Sequence, residues 1–145
     1  MRGVIHRLPR WQRTVLHATS SVLLLTGALW LGLQYGAAAD ALPHPMAPWL
    51  MRLHGLASFV ALFMLGALAA SHVPHGWRVT ARQRRAHQRK SGLVLCSLAA
   101  LLALSGYLLY YFAPEPVRPA LGWAHALAGA AMAGVAVVHA RGRRR

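Results

Sequence analysis

The chain has 145 residues, of which 57% are hydrophobic and 12% are charged, so it is long enough for one compact unit and unusually apolar for a soluble domain. The net charge of +14 would suit a nucleic-acid partner. However, the basic residues are confined to short segments between long apolar runs, which favours a lipid bilayer as the partner and no nucleic acid. A single cysteine excludes a disulfide framework.

Four apolar segments follow one another along the chain. Each has about the 20 residues that a helix needs to cross a bilayer, and together they cover about residues 12–35, 49–72, 92–112 and 121–140. Their apolar residues do not alternate with period two, which favours helices over the strands of a membrane barrel. The sequence therefore predicts an all-α fold, an integral membrane four-helix bundle formed by residues 1–145 as a single domain.

The basic residues predict the topology of this bundle. Fourteen of the 16 lie in the N-terminal segment, the second connection and the C-terminal tail, and the other two are Arg52 and Arg118. The positive-inside rule makes these three segments cytoplasmic, so both termini are inside in a multi-pass protein of a bacterial-type inner (plasma) membrane.

The first segment also has features of a secretory signal, because the small residues "GAAADA" follow its apolar run. That run has about 20 residues, which exceeds the roughly 7–15 of a signal core. We therefore expect a retained membrane span rather than a cleaved signal.

Histidines are the main ionisable residues inside the predicted spans. His17 lies in the first span, His54 in the second, and His125 and His139 in the fourth, while His72 lies at the membrane border. A polar ring in lipid is costly and usually faces the bundle interior. A single such histidine is explained by an interhelical hydrogen bond, but four or five without acidic partners favour a functional site.

The histidines fall into two layers. His54 and His125 lie near the outer interface, and His17 and His139 lie toward the inner one. The fourteen residues between His125 and His139 correspond to about 21 Å along a helix and return to within about 40° of the same face. Two facing imidazoles are what a six-coordinate haem iron needs as axial ligands, whereas zinc would need a third or fourth ligand at the same depth.

The stretches "RTVLHATSSVLLLTG" and "RLHGLASF" and the spacing of the last two histidines carry a family resemblance. From about residue 13 to residue 141, the chain resembles the four-helix, two-haem membrane cytochromes b, which include the formate dehydrogenase and nickel–iron hydrogenase cytochrome subunits and the bacterial cytochrome b561 group. The resemblance implies two haem b groups, one held by His17 with His139 and the other by His54 with His125. It also implies a non-catalytic subunit that passes electrons between a partner oxidoreductase and the quinone pool.

Several assignments stay open at this point. His72 is eighteen residues after His54 and shares its helix face, so it is an alternative inner ligand or part of a quinone site. Arg13 and Arg52 are candidate partners for haem propionates, or they only signal the topology.

A weak internal repeat, "LTG" at 25–27 and "LSG" at 104–106, places Cys96 in the position that His17 occupies, where it is a spare ligand or a small apolar residue.

Two competing functions do not involve haem. One is a haem-free membrane scaffold or assembly protein whose histidines pack helices or bind a metal. It predicts a colourless protein that tolerates loss of His125. A transporter is less favoured, because no span is broken at its middle and no acidic residue lies in the membrane.

Overall fold

A computed structural model describes residues 9–36, 42–82 and 86–142, and these residues form four α-helices. The helices are α1 (Arg10–Tyr35), α2 (Ala47–Arg82), α3 (Ala86–Tyr111) and α4 (Arg118–Gly142). The prediction of an all-α fold is confirmed, and each predicted apolar segment lies within or largely within one of the helices.

Prolines and a glycine account for where the described helices begin and end. Pro9 directly precedes α1, and Gly36 ends it by donating its backbone N–H to the Gly32 carbonyl at 2.9 Å. Pro48 lies in the first turn of α2, where a proline loses no intrahelical hydrogen bond. Pro119 has the same position in α4.

Helix α2 is longer than the predicted span. The sequence placed its end near His72, but the helix continues to Arg82 and contains Pro74. The prediction was based on apolar length, and a helix can extend past the bilayer with polar residues. Pro74 lacks the backbone N–H of a normal helical residue, a defect that membrane helices tolerate when neighbouring groups satisfy the freed carbonyl.

All four helices are long and apolar enough to cross a membrane. Large apolar side chains cover their outer surfaces, and Phe59, Phe63 and Tyr110 are each about three-quarters exposed. Such a surface is suited to lipid, so the chain has the character of a multi-pass membrane protein. The bundle arrangement, the cytoplasmic location of both termini and the type of membrane stay predictions.

The chain divides into two compact units, and the boundary between them lies within α2. One unit, Leu8–Leu65, contains α1 and the first part of α2. The other includes Gly66–Arg145, in which α3 packs along α4.

The buried side chains of the described residues are mostly small. The buried hydrophobic residues are Ala57, Met64, Ala113 and Ala128, and the buried polar residues are all hydroxyl-bearing: Thr19, Thr26, Ser91 and Ser105. Hydroxyls in such positions need hydrogen-bond partners, and three of the four have a histidine as one of them.

Candidate functional site: histidines with hydroxyl partners

His54 on α2 contacts a buried threonine on α1. The Thr26 hydroxyl lies 2.9 Å from His54 Nδ1, and it also donates to its own helix at the Val22 carbonyl, 2.7 Å away. Thr26 is only 4% exposed and His54 is half-buried. The contact joins the two helices of the Leu8–Leu65 unit through an imidazole ring.

His125 on α4 makes the same kind of contact with α3. The Ser105 hydroxyl lies 2.7 Å from His125 Nδ1 and donates to the Leu101 carbonyl at 2.7 Å. Ser105 is also 4% exposed, and His125 is half-buried. The contact therefore joins the same two kinds of group, a hydroxyl and Nδ1, and its hydroxyl residue is as buried as the one at His54.

His139, near the end of α4, has a third hydroxyl partner. The Ser91 hydroxyl lies 2.8 Å from His139 Nδ1 and also contacts the Gln88 carbonyl at 3.2 Å. We call these three contacts the hydroxyl–imidazole pairs: Thr26–His54, Ser105–His125 and Ser91–His139.

A glycine follows each of the three hydroxyl residues and lies against the partner ring. A Cβ on Gly27 would lie 3.5 Å from His54 Cε1, one on Gly106 would lie 3.4 Å from His125 Cε1, and one on Gly92 would lie 3.7 Å from His139 Cε1. The glycines therefore let each ring lie close to the backbone of the neighbouring helix.

The hydroxyl contacts bear on the ring protons. A hydroxyl has one proton to donate, and in each pair a carbonyl of its own helix lies within hydrogen-bond distance. With that proton on the carbonyl bond, the bond to the ring is one that Nδ1–H donates and the hydroxyl oxygen accepts. In a neutral imidazole this arrangement puts the lone pair on Nε2, the nitrogen that faces away from the hydroxyl.

Two of the pairs lie in the Gly66–Arg145 unit and are separated by the same number of residues on both helices. Ser91 and Ser105 are fourteen residues apart on α3, and His125 and His139 are fourteen residues apart on α4. The two antiparallel helices thus make the same contact at two levels about 21 Å apart along the axis. The predicted two-level arrangement of His125 and His139 agrees with these contacts.

The other two predicted ligands, His17 and His72, are not members of the hydroxyl–imidazole pairs. His17 has an exposed side chain on α1, and it forms no side-chain hydrogen bond within the described part of the chain. His72 is half-buried on α2. His17 and His54 lie in one unit, and His72, His125 and His139 lie in the other.

The structure also places the two candidate arginines and Cys96. Arg13 is exposed on α1, and the Arg52 guanidinium lies 4.8 Å from the Trp49 ring in a cation–π contact. Cys96 is exposed on α3. A role of Arg13 or Arg52 toward propionates stays a prediction.

Sequence reasoning did not single out Arg89. Its guanidinium lies 4.2 Å from the Trp77 ring centroid, and among the described residues its Nε is buried without a hydrogen-bond partner. Trp77 is in the C-terminal part of α2, and Arg89 is two residues before Ser91 on α3. The cation–π contact therefore joins these two helices next to the Ser91–His139 pair.

Sequence reasoning also missed the three hydroxyls, although a signal for them was present. "TG" at 26–27 and "SG" at 105–106 were seen as a repeat, but their hydroxyls were not connected with the histidines, and "SG" at 91–92 was not used. A Ser-Gly or Thr-Gly dipeptide in an apolar helix, with a histidine in the next helix, is the pattern that would have predicted the contacts.

Among the described residues, no group of three or more His, Cys, Asp or Glu side chains could hold a metal ion. Three of the imidazoles each have a hydroxyl at Nδ1. No family model, curated protein or solved structure matches this chain.

Proposed function

We propose that this chain is a membrane electron-transfer protein that binds haem b through pairs of histidines. The observation that carries the proposal is the set of hydroxyl–imidazole pairs. Nδ1 of three of the four predicted ligands lies 2.7–2.9 Å from a buried hydroxyl. With Nδ1–H as the donor, the Nε2 lone pair points away from that hydroxyl. Histidines that ligate a metal characteristically have their other ring nitrogen bound in this way.

The residues fit the requirements of an axial ligand. Neutral imidazoles with a fixed ring plane bind iron through a nitrogen lone pair, and a bound haem supplies reversible one-electron chemistry. Gly27, Gly92 and Gly106 allow the rings to lie close to the helix backbone. Small side chains on α4, including Ala126, Ala130 and Gly134, leave its surface shallow, as a flat macrocycle requires.

The pairing of ligands is proposed from the family resemblance. His54 with His125 would hold one haem, and His17 with His139 would hold the other, with His72 as the alternative to His17. Two haems at different depths would carry electrons between a partner oxidoreductase and the quinone pool. The partner oxidoreductase and the quinone pool are likewise proposed from the family resemblance.

A haem-free scaffold is the second candidate, and one observation favours it. Each hydroxyl–imidazole pair joins two helices, which is also the role of a polar side chain that stabilises packing in lipid. Packing alone, however, does not require the same ring nitrogen and the same following glycine three times. We therefore prefer the ligand role.

The test is a dithionite-reduced minus oxidised spectrum of the detergent-purified full chain, with haem quantified per chain. We expect a b-type signal from two haems. His54→Ala and His125→Ala should each remove the same haem, whereas His17→Ala and His139→Ala should each remove the other. His44→Ala is the matched control, because His44 is an exposed histidine whose Nδ1 only accepts from the Met46 backbone N–H at 3.2 Å.

The alternatives give different results. A colourless protein after expression with adequate haem supply would refute the electron-transfer function and favour the scaffold. Retention of both haems in His17→Ala would refute the inner pairing and make His72 the ligand to test next.

A further inference from the structure

We propose that Thr26, Ser105 and Ser91 are positioning residues that keep His54, His125 and His139 in the Nδ1-protonated tautomer and thereby set the electron donation of Nε2. The inference rests on the proposed function where it concerns iron. The tautomer itself is a property of the polypeptide and can be measured without haem.

The Ser105 hydroxyl lies between two possible hydrogen-bond partners. In the Ser105–His125 pair, the distances from the hydroxyl oxygen to the Leu101 carbonyl and to His125 Nδ1 are both 2.7 Å. If the hydroxyl donated to Nδ1, two oxygens would face each other at 2.7 Å without a proton between them. The serine must therefore donate to the carbonyl and accept from the ring.

A hydrogen bond donated by Nδ1–H pushes electron density toward Nε2 and makes the imidazole a more basic ligand. A more basic ligand stabilises the oxidised iron more than the reduced iron. Loss of the hydroxyl should therefore raise the reduction potential of the haem that the histidine holds.

The four histidines differ in whether they have a buried hydroxyl partner. His54 and His125 each have a buried hydroxyl partner, and so has His139, but the described residues give His17 none. With the proposed pairing, one haem has two positioned ligands and the other has one. Thr26 and Ser105 should therefore act on the same haem, and Ser91 should act on the other.

The matched control is Ser58. Its hydroxyl donates to the Gly55 carbonyl at 2.6 Å, as the positioning residues donate to theirs, but within the described residues it bonds to no imidazole. Ser58→Ala removes the same atom from a membrane helix without touching a ring. Thr26→Ser and Ser105→Thr are the conservative variants, because they keep the hydroxyl.

The first experiment measures tautomers in the haem-free full chain, by ¹⁵N NMR of labelled histidines assigned through single histidine deletions. We expect Nδ1 to be the protonated nitrogen of His54, His125 and His139. Thr26→Ala, Ser105→Ala and Ser91→Ala should each shift only the partner histidine toward the Nε2–H tautomer. Ser58→Ala should shift none, and the conservative variants should behave like the unchanged protein.

The second experiment is a redox titration of the haem-loaded protein. Thr26→Ala and Ser105→Ala should raise the potential of the same haem, additively in the double variant, and Ser91→Ala should raise that of the other. We expect each variant to weaken haem affinity by about 10- to 100-fold. A tenfold loss of haem affinity that is confined to the oxidised state would raise the reduction potential by about 59 mV for a one-electron couple.

The outcomes separate this inference from the proposed function. Bound haem with unchanged tautomers and potentials in all three alanine variants would overturn the inference and leave the function in place. A colourless protein whose rings still change tautomer would refute the function and support the tautomer assignment alone. An equal effect of Ser58→Ala would show that the variants act through helix packing and would overturn the inference.

Discussion

A hydroxyl buried in an apolar helix already has a partner, because it can donate to a carbonyl one turn back. Within the described residues, the half-buried Ser58 hydroxyl forms this hydrogen bond and no other. Thr26, Ser105 and Ser91 also have a hydrogen-bond partner on another helix, and in each case the partner is an imidazole Nδ1. The repetition at the level of single atoms is what distinguishes these histidines from ordinary polar residues in a membrane helix.

The glycines that follow these hydroxyl residues lead to a prediction about the size of side chain that fits against the imidazole rings. A Cβ on Gly106 would lie 3.4 Å from His125 Cε1, which is van der Waals contact, so we expect Gly106→Ala to be tolerated. Gly106→Leu would place further carbons in the volume of the ring and should destabilise the protein by about 1–3 kcal/mol through overpacking. The measurements are unfolding in detergent and haem content per chain.

Gly66→Leu on α2 is the control for that substitution, because a Cβ on Gly66 would have no contact within 4 Å. It adds the same side chain to a span without meeting a ring. Equal stability of Gly106→Leu and the unchanged protein would contradict the packing of His125 against Gly106.

The residues of the candidate site were partly predictable. The histidines stand out because a ring that can ionise is rare in an apolar span, and their spacing gave two levels. The hydroxyls did not stand out, because serine and threonine are ordinary in membrane helices and their role depends on which helix face meets which. For the same reason the stacking of Arg89 on Trp77 could not be predicted from two residues that are twelve positions apart.

At the scale of elements, the apolar pattern predicted the spans well but predicted their ends less well. Hydropathy reports how much of a helix lies in lipid, whereas a helix ends where its backbone hydrogen bonds end. Helix α2 therefore continues ten residues beyond its predicted end at His72, through Pro74. The ends that coincide with proline or glycine, such as the end of α1 at Gly36, were close to prediction.

The contact between the C-terminal part of α2 and the N-terminal part of α3 leads to a prediction about helix packing. Because Arg89 lies over Trp77 at 4.2 Å, with its Nε shielded from water, we expect Trp77→Ala and Arg89→Ala each to reduce stability. A double-mutant cycle in detergent should give a coupling of about 0.5–2 kcal/mol, the range for cation–π pairs from exposed to desolvated sites.

The control cycle combines Arg89→Ala with Trp123→Ala. Trp123 is on α4 two residues before His125, whereas Arg89 is near Ser91, so the two residues belong to different levels of the same unit. We expect their effects to add without coupling. A coupling of zero in the Trp77 cycle would mean that the stacking contributes nothing to holding the two helices together.

At the scale of the whole molecule, the distribution of charge complements the apolar helices. Four spans are an even number, so the two termini lie on the same side if every span crosses the membrane. Basic residues are concentrated at both termini and from Arg78 to Lys90, where α2 ends and α3 begins, and the other two connections hold one acidic residue each. Charge and span count therefore predict a topology with both termini in the cytoplasm.

This topology gives the last prediction. A fluorescent protein that folds only in the cytoplasm should fluoresce when fused after Arg145, and a phosphatase that is active only outside should be active when fused after Val117, between α3 and α4. The reciprocal fusions should be inactive. Because the basic residues between α2 and α3 act with those at the termini, replacing only that cluster by glutamine should lower the fraction of correctly oriented chains without inverting all of them. Activity of the phosphatase after Arg145 would contradict the orientation, and it would also place His139 and the Ser91–His139 pair at the outer instead of the inner side.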